Sequence, residues 1–182
     1  MREWAFAVSF VAMLLIGGSY FHKKKSLYLA FQAMGIVFLM ASYLLTKEYF
    51  AMVGLGIGLA RVLIYFFYEK RDQDVSLFWP ILFSVLSVLA YAIVNLCILQ
   101  TVKAADVLYL VGLIAYAFVF RVRNLTVMRY LSLIPTCLSV IYNVWIAAVP
   151  FVIVSYAFEF TATVVAIVKY RYFTKEKSEE TL

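Results

Sequence analysis

Seven apolar runs, separated by short charged segments, constrain this chain more than any other feature. They cover approximately residues 4–21, 26–46, 50–68, 76–98, 105–120, 126–146 and 150–168. A helix needs about 20 apolar residues to cross the hydrocarbon core of a bilayer. Inside lipid the backbone must satisfy its own hydrogen bonds, which leaves only helices or closed barrels. Barrel strands alternate polarity over about ten residues, whereas these runs are longer and continuously apolar. The expected fold class is all-α: a polytopic helical bundle of seven transmembrane helices, forming a single integral membrane domain across residues 1–182.

Composition excludes the soluble alternative. The chain is 66% hydrophobic and 14% charged, against about half and a quarter in soluble domains. The net charge of +6 does not point to nucleic acid, because a phosphate-binding surface needs an exposed face to carry it. The basic residues instead cluster between apolar runs, as loop charges do. The first run carries Glu3 and lacks an Ala-x-Ala cleavage site, so it is read as a retained span and not a secretory signal. Cys97 and Cys137 both fall inside apolar runs and are expected to pack as small buried hydrophobes. His22 abuts Lys23, Lys24 and Lys25 and reads as part of a loop charge cluster.

The loop charges also give an orientation. Lys23–Lys25, Lys70 with Arg71, Arg121 with Arg123 and nearby Arg129, and the tail bases Lys169, Arg171, Lys175 and Lys177 fall on one side of a seven-span chain. Only Arg2, Lys47 and Lys103 fall on the other. Because Lys and Arg are retained in the cytoplasm, the expectation is N-terminus outside and C-terminus cytoplasmic, in the inner or plasma membrane. Trp4, Tyr20, Phe21, Tyr49, Phe50, Tyr68, Trp79, Tyr170 and Tyr172 lie near run ends and read as interfacial anchors.

An internal repeat emerges when residues 21–71 are slid onto 120–170 without a gap. Phe21 then meets Phe120, Tyr43 meets Tyr142 and Lys70 meets Lys169. Identity is very low, and the matched spacing of charges and apolar runs carries the comparison. It implies a 3+1+3 arrangement, with repeats at 1–71 and 105–172 and a linker helix at 76–98. One extra span is what two parallel triplets require, the layout found in SWEET transporters.

Particular residues carry a family resemblance. Met128-Arg129, Thr136-Cys137 and Val140-Ile141-Tyr142-Asn143-Val144-Trp145 resemble the sixth span of the bacterial inner-membrane YgjV-like proteins. Ala60-Arg61-Val62-Leu63-Ile64-Tyr65 is similar to that family's Arg-containing third span, and the basic segments at 22–25 and 169–171 also fit. Two features depart from the pattern. Ala147-Ala148-Val149-Pro150 stands where the family has a Gly-rich turn, and the acid of the last span is Glu159 where the family's would fall near Ser155. The family's architecture is similar to that of SWEET and PQ-loop proteins, and so the resemblance implies transport without naming a substrate.

Two charges lie deep in the apolar mass. Arg61 sits near the middle of span 3 and Glu159 near the middle of span 7. An ionised group at the centre of a membrane helix costs roughly 2.5–3.5 kcal/mol on insertion scales, so such residues need a reason to be there. One reading places them in a polar cavity that binds a substrate or relays a proton. The other makes them a buried structural ion pair, which an apolar pair could often replace. Small and polar stripes accompany them: Gly54, Gly58, Tyr65 and Tyr68 on span 3; Ser132, Pro135, Thr136, Ser139 and Asn143 on span 6; Ser155, Ala162 and Ala166 on span 7. The Gly54-x-x-x-Gly58 pair reads as close helix packing. Gln32 and Asn95 read as interhelical hydrogen-bonding residues.

The expected substrate-binding residues are therefore Arg61, Glu159, Asn143, Tyr65, Ser155, Thr136 and Gln32. No His–carboxylate cluster, nucleophile elbow or phosphate loop is visible, so neither an enzyme nor a metal or cofactor is expected. The expected partners are the lipid bilayer and a polar or charged small-molecule substrate, with no nucleic acid. Homo-oligomerisation stays open. The function expected is a small-molecule transporter or facilitator. The alternative is a non-transporting scaffold or sensor in which Arg61 and Glu159 form a structural pair.

Overall fold

The computed structural model describes residues 2–100, 103–146 and 150–179, and among them the secondary structure is entirely helical. The helices are α1 (Arg2–Ser19), α2 (Lys25–Thr46), α3 (Tyr49–Lys70), α4 (Phe78–Tyr91), α5 (Ala104–Val119), α6 (Leu125–Trp145) and α7 (Pro150–Glu179). A π-helical segment, Ala92–Ile98, extends α4. Five of these are long and apolar enough to cross a membrane: α2, α3, α4 with its π-helical extension, α6 and the Val152–Lys169 part of α7. Glu3–Ser19 and Ala104–Val119 are shorter apolar helices.

Local chemistry sets the helix ends. Lys47 takes a left-handed conformation (φ 63°) and its N–H returns to Leu44 O and Tyr43 O, so α2 turns into α3 through two residues. The Asn124 side chain caps α6 by accepting from the N–H groups of Thr126 (2.9 Å) and Val127 (3.2 Å). Pro150 opens α7, where its missing N–H has no partner to lose. Hydroxyls within the helices return to the preceding turn, as in Ser9 to Ala5 O (2.8 Å) and Ser87 to Phe83 O (2.8 Å). Such bonds matter where no water can satisfy a polar group.

Six helices form a closed ring in the order α1, α2, α3, α5, α6, α7 and back to α1, and α4 lies outside it against α3 and α5. The outer face of α4 shows why it stays peripheral: Ile81, Val85, Leu89, Ile93 and Leu96 are all exposed. In a membrane these contacts belong to acyl chains.

Three interhelical loops gather at one end of the bundle. Lys25 pairs with Glu69 at 3.3 Å, joining the start of α2 to the end of α3. Arg123 pairs with Asp72 and with Asp74, the latter at 3.3 Å, and Arg121 Nε donates to Val75 O at 2.8 Å. The basic loops are thus neutralised in part by acidic neighbours in the loop between α3 and α4.

Several expectations about individual residues change. Tyr20 and Phe50 are buried, at 0% and 3% exposure, and are core residues rather than interfacial anchors. The Tyr20 hydroxyl reaches Glu159 of α7, and the Phe50 ring packs edge-on against Tyr91 of α4 and Tyr109 of α5. Cys97 is exposed, because it lies on the outer face of the peripheral helix. Arg129 is no loop charge: it is 2% exposed, and its guanidinium donates to Tyr20 O (2.7 Å) and His22 O (2.8 Å). There it caps the carbonyl end of α1. The residues Ala147, Ala148 and Val149 of the α6–α7 turn lie outside the described residues, as do the side chains of Arg2, Tyr170 and all residues beyond it.

Candidate functional site: a polar cavity inside the helix ring

The polar stripes of α3, α6 and α7 all turn inward. Gly54, Gly58, Arg61 and Tyr65 are buried on α3, and Ser132, Thr136, Ser139 and Asn143 on α6. Ser155, Glu159, Ala162 and Ala166 are buried on α7. In lipid a helix hides its polar side because nothing outside can solvate it. The inward faces meet around a cavity of about 40 Å³. Its polar lining comes from Gln32, Arg61, Ser139 and Glu159, and its aromatic walls from Tyr109, Tyr116, Phe120 and Tyr156.

Glu159 is 4% exposed and accepts hydrogen bonds at Oε1 from Tyr20 (2.6 Å) and Tyr116 (3.3 Å). Tyr116 in turn shares a 2.8 Å bond with Thr136. The carboxyl group is therefore held by hydroxyls from α5 and from the end of α1. Arg61, also 4% exposed, donates from one terminal nitrogen to Leu113 O at 3.0 Å. Its guanidinium carbon lies 5.8 Å from the Tyr116 ring centroid and 5.3 Å from that of Phe120, within cation–π range. Its Nε is buried without a hydrogen-bond partner.

Arg61 and Glu159 do not form an ion pair. Among the described residues the salt bridges are Lys25–Glu69, Arg123–Asp72 and Arg123–Asp74. The structural pair named as an alternative is thus absent from this conformation, and the reason is geometric. The Arg61 guanidinium is drawn to the α5 backbone and to aromatic faces, while tyrosine hydroxyls occupy the carboxylate.

The other expected site residues separate into two groups. Gln32 lines the cavity and donates to Ser19 Oγ (3.1 Å) and Tyr28 Oη (3.3 Å). Thr136 stands one bond behind the cavity, through Tyr116. Asn143, Tyr65 and Ser155 are not in its lining. Asn143 accepts from Tyr43 of α2 and donates to Ser139 O; Tyr65 donates to Ala117 O at 2.9 Å; Ser155 donates to Ser9 O at 3.2 Å. Each of these three ties helices together.

Sequence reasoning missed the tyrosines that build the site, namely Tyr20, Tyr109, Tyr116 and Tyr156. One signal was present: Tyr109, Leu113, Tyr116 and Phe120 recur at helical spacing on α5, and all four line the cavity. Gly54 has the packing role expected of it. A Cβ there would lie 2.7 Å from Leu113 Cδ1, so the glycine is what lets α3 approach α5. At Gly58 a Cβ would come no nearer than 3.6 Å to the Arg61 guanidinium.

A second polar group lies near the start of α5. Asp106 is 5% exposed, and Asn95, in the π-helical segment, is fully buried. Both amide atoms of Asn95 and the Tyr142 hydroxyl lack hydrogen-bond partners. Asn95 was expected to bond between helices, and it turns its side chain to Asp106 of α5.

The model of the Imp-YgjV family, described as a bacterial inner membrane protein, matches residues 3–176. No curated protein and no solved structure matches the chain.

Proposed function

The chain belongs to the YgjV family of bacterial inner membrane proteins, and on that premise we propose that it is a small-molecule transporter or facilitator with a polar site inside a seven-span, 3+1+3 bundle. The observation that carries this reading is the placement of Arg61 and Glu159. Two oppositely charged residues face one cavity from α3 and α7, yet neither neutralises the other directly. A purely structural pair would gain most from direct contact, since desolvation of two separate ions is the costlier arrangement. The closed ring, with α4 outside it, suits two triplets related by an axis along the bundle. The loops bearing Lys25, Arg71, Arg121 and Arg123 would face the cytoplasm, which puts the N-terminus outside.

The cavity volume of about 40 Å³ admits a few waters or a small ion. Pockets for metabolites are typically about 300–1,000 Å³. In this conformation a larger substrate would require the two triplets to part. We assign no catalytic role. The scaffold or sensor reading draws on the same small volume and is the competing one.

Proteoliposome counterflow with pooled radiolabelled sugars, amino acids, organic acids and nucleosides separates the two readings. A transporter gives flux that Arg61→Ala and Glu159→Gln abolish while the protein stays monodisperse. No flux from any pool, with folded protein in the membrane, would remove the transport reading and leave the scaffold.

A further inference from the structure

Arg61 and Glu159 line the same cavity but are not equally satisfied within it. Glu159 Oε1 accepts from both Tyr20 and Tyr116. A guanidinium carries five N–H donors, and among the described residues that of Arg61 makes one hydrogen bond, from Nη1 to Leu113 O at 3.0 Å. Its Nε is buried without a partner, and among the described residues no carboxylate lies within ion-pairing distance of it. The nearby rings of Tyr116 and Phe120 attract the charge through their π-faces, a weak substitute for an acceptor in the guanidinium plane. Buried polar groups in proteins are nearly always bonded, and a buried charge left this far from saturation calls for an explanation.

The free part of the guanidinium has a particular shape. Nε and Nη2 make up one edge, on which two parallel N–H groups match the two oxygens of a carboxylate. Leu113 O takes Nη1, so this edge is the one left over. Space lies beside it. Gly58 lines the cavity one turn before Arg61 and has no side chain to fill it. Outside its own helix backbone, a Cβ there would meet only Arg61 Nη2 within 4 Å, at 3.6 Å. The cavity of about 40 Å³ holds a ligand of a few heavy atoms. That suits formate or acetate and excludes a sugar or nucleoside in this conformation. Glu159 lines the same space, so an anion bound at Arg61 enters against its charge and gains nothing from it.

We propose that the substrate of this cavity carries a carboxylate, held by the Nε–Nη2 edge of Arg61, and that the conformation described takes a monocarboxylate of the size of formate or acetate. This rests on the cavity being the substrate site. The test is thermal unfolding of the purified full chain in detergent, titrated with sodium formate or acetate against sodium chloride and sodium gluconate at matched ionic strength. The wild type is expected to gain stability from formate or acetate and not from chloride or gluconate. Above saturation, each tenfold rise in ligand raises the folded-to-unfolded ratio about tenfold. Arg61→Met is expected to lose this response. Gly58→Ala keeps the charge and suits a helix, but its methyl takes the space beside Nη2 where a carboxylate oxygen would sit at about 2.7–2.9 Å. Its titration midpoint therefore moves to higher formate concentration, even if Arg61→Met fails to fold. Glu159→Gln is expected to respond at the same or a lower concentration, because a negative neighbour has been removed. Equal effects of every salt overturn the proposal, as do a full response in Arg61→Met and an unchanged midpoint in Gly58→Ala. Loss of the response in Glu159→Gln overturns it too, in favour of a ligand that needs both charges. The assay reads binding without transport: formate stabilisation in protein that gives no flux keeps the site and removes the transport reading, and flux of a neutral compound with no formate response does the reverse.

Discussion

Arg61 and Glu159 reach the same cavity, and Tyr116 stands between them. Its ring lies 5.8 Å from the Arg61 guanidinium carbon, and its hydroxyl donates to Glu159 at 3.3 Å. Both therefore contact the same aromatic side chain of α5 and not each other.

Stability measurements can separate contact from this indirect arrangement. In a double-mutant cycle with Arg61→Met and Glu159→Gln, the interaction energy is expected to be about 0.5 kcal/mol, the low end for residues that share a partner, here Tyr116, without touching. Unfolding in mixed detergent micelles supplies the values. An interaction energy of about 2 kcal/mol or more would mean that an ion pair forms in the membrane after all.

Tyr20 supplies the shorter of the two bonds to Glu159, at 2.6 Å. Tyr20→Phe removes a donor from a buried carboxyl group and is expected to cost about 1.5–3 kcal/mol, the range for hydrogen bonds to charged groups. The same unfolding assay reads it, and a loss below about 0.5 kcal/mol would show that the bond is not made to an ionised carboxylate.

Arg129 holds the end of α1 through two carbonyls. Arg129→Met is expected to destabilise by about 3 kcal/mol or more, the sum of two charge-assisted bonds at the low end of their range. Arg129→Lys should recover only part, because both bonds come from one terminal guanidinium nitrogen, which stands farther from the backbone than a lysine ammonium reaches. Full stability in the lysine variant would reduce Arg129 to a point charge.

Two glycines make a matched comparison. A Cβ at Gly54 meets Leu113 Cδ1 at 2.7 Å and Tyr109 Cε1 at 3.0 Å, whereas one at Gly18 meets nothing within 4 Å. Gly54→Ala is expected to destabilise by about 1–3 kcal/mol through overpacking. Gly18→Ala is expected to stabilise by about 0.5–1 kcal/mol through helix propensity. The opposite order would mean that α3 and α5 do not pack this closely.

Orientation can be read by thiol labelling after Cys97 and Cys137 are replaced. Lys24→Cys should react with a membrane-impermeant maleimide only in opened cells, and Lys47→Cys should react in intact ones. The reverse pattern would invert the proposed topology.

Much of the fold was legible in the sequence because lipid imposes one simple rule. The apolar runs had to be helices, and the stripes bearing Gly58, Arg61, Ser139 and Glu159 had to face inward, since nothing outside could solvate them. The roles of Asn143, Tyr65 and Ser155 were not legible. Helical spacing places a residue on a face, but whether it meets a cavity or another backbone depends on the depth and rotation of its neighbours.

The sequence by itself determined a helical membrane protein with two charges in its interior and basic loops outside it, because hydropathy and desolvation act on each segment separately. Only the tertiary structure decided what those groups touch. It gave Arg61 a backbone carbonyl and two aromatic faces, gave Glu159 two tyrosine hydroxyls, and drew Arg129 from the loops into the end of α1. It also wound the end of α4 into a π-helix and turned Asn95 toward Asp106. Such partners come from different helices far apart in the chain, and their distances follow from packing that no single segment encodes.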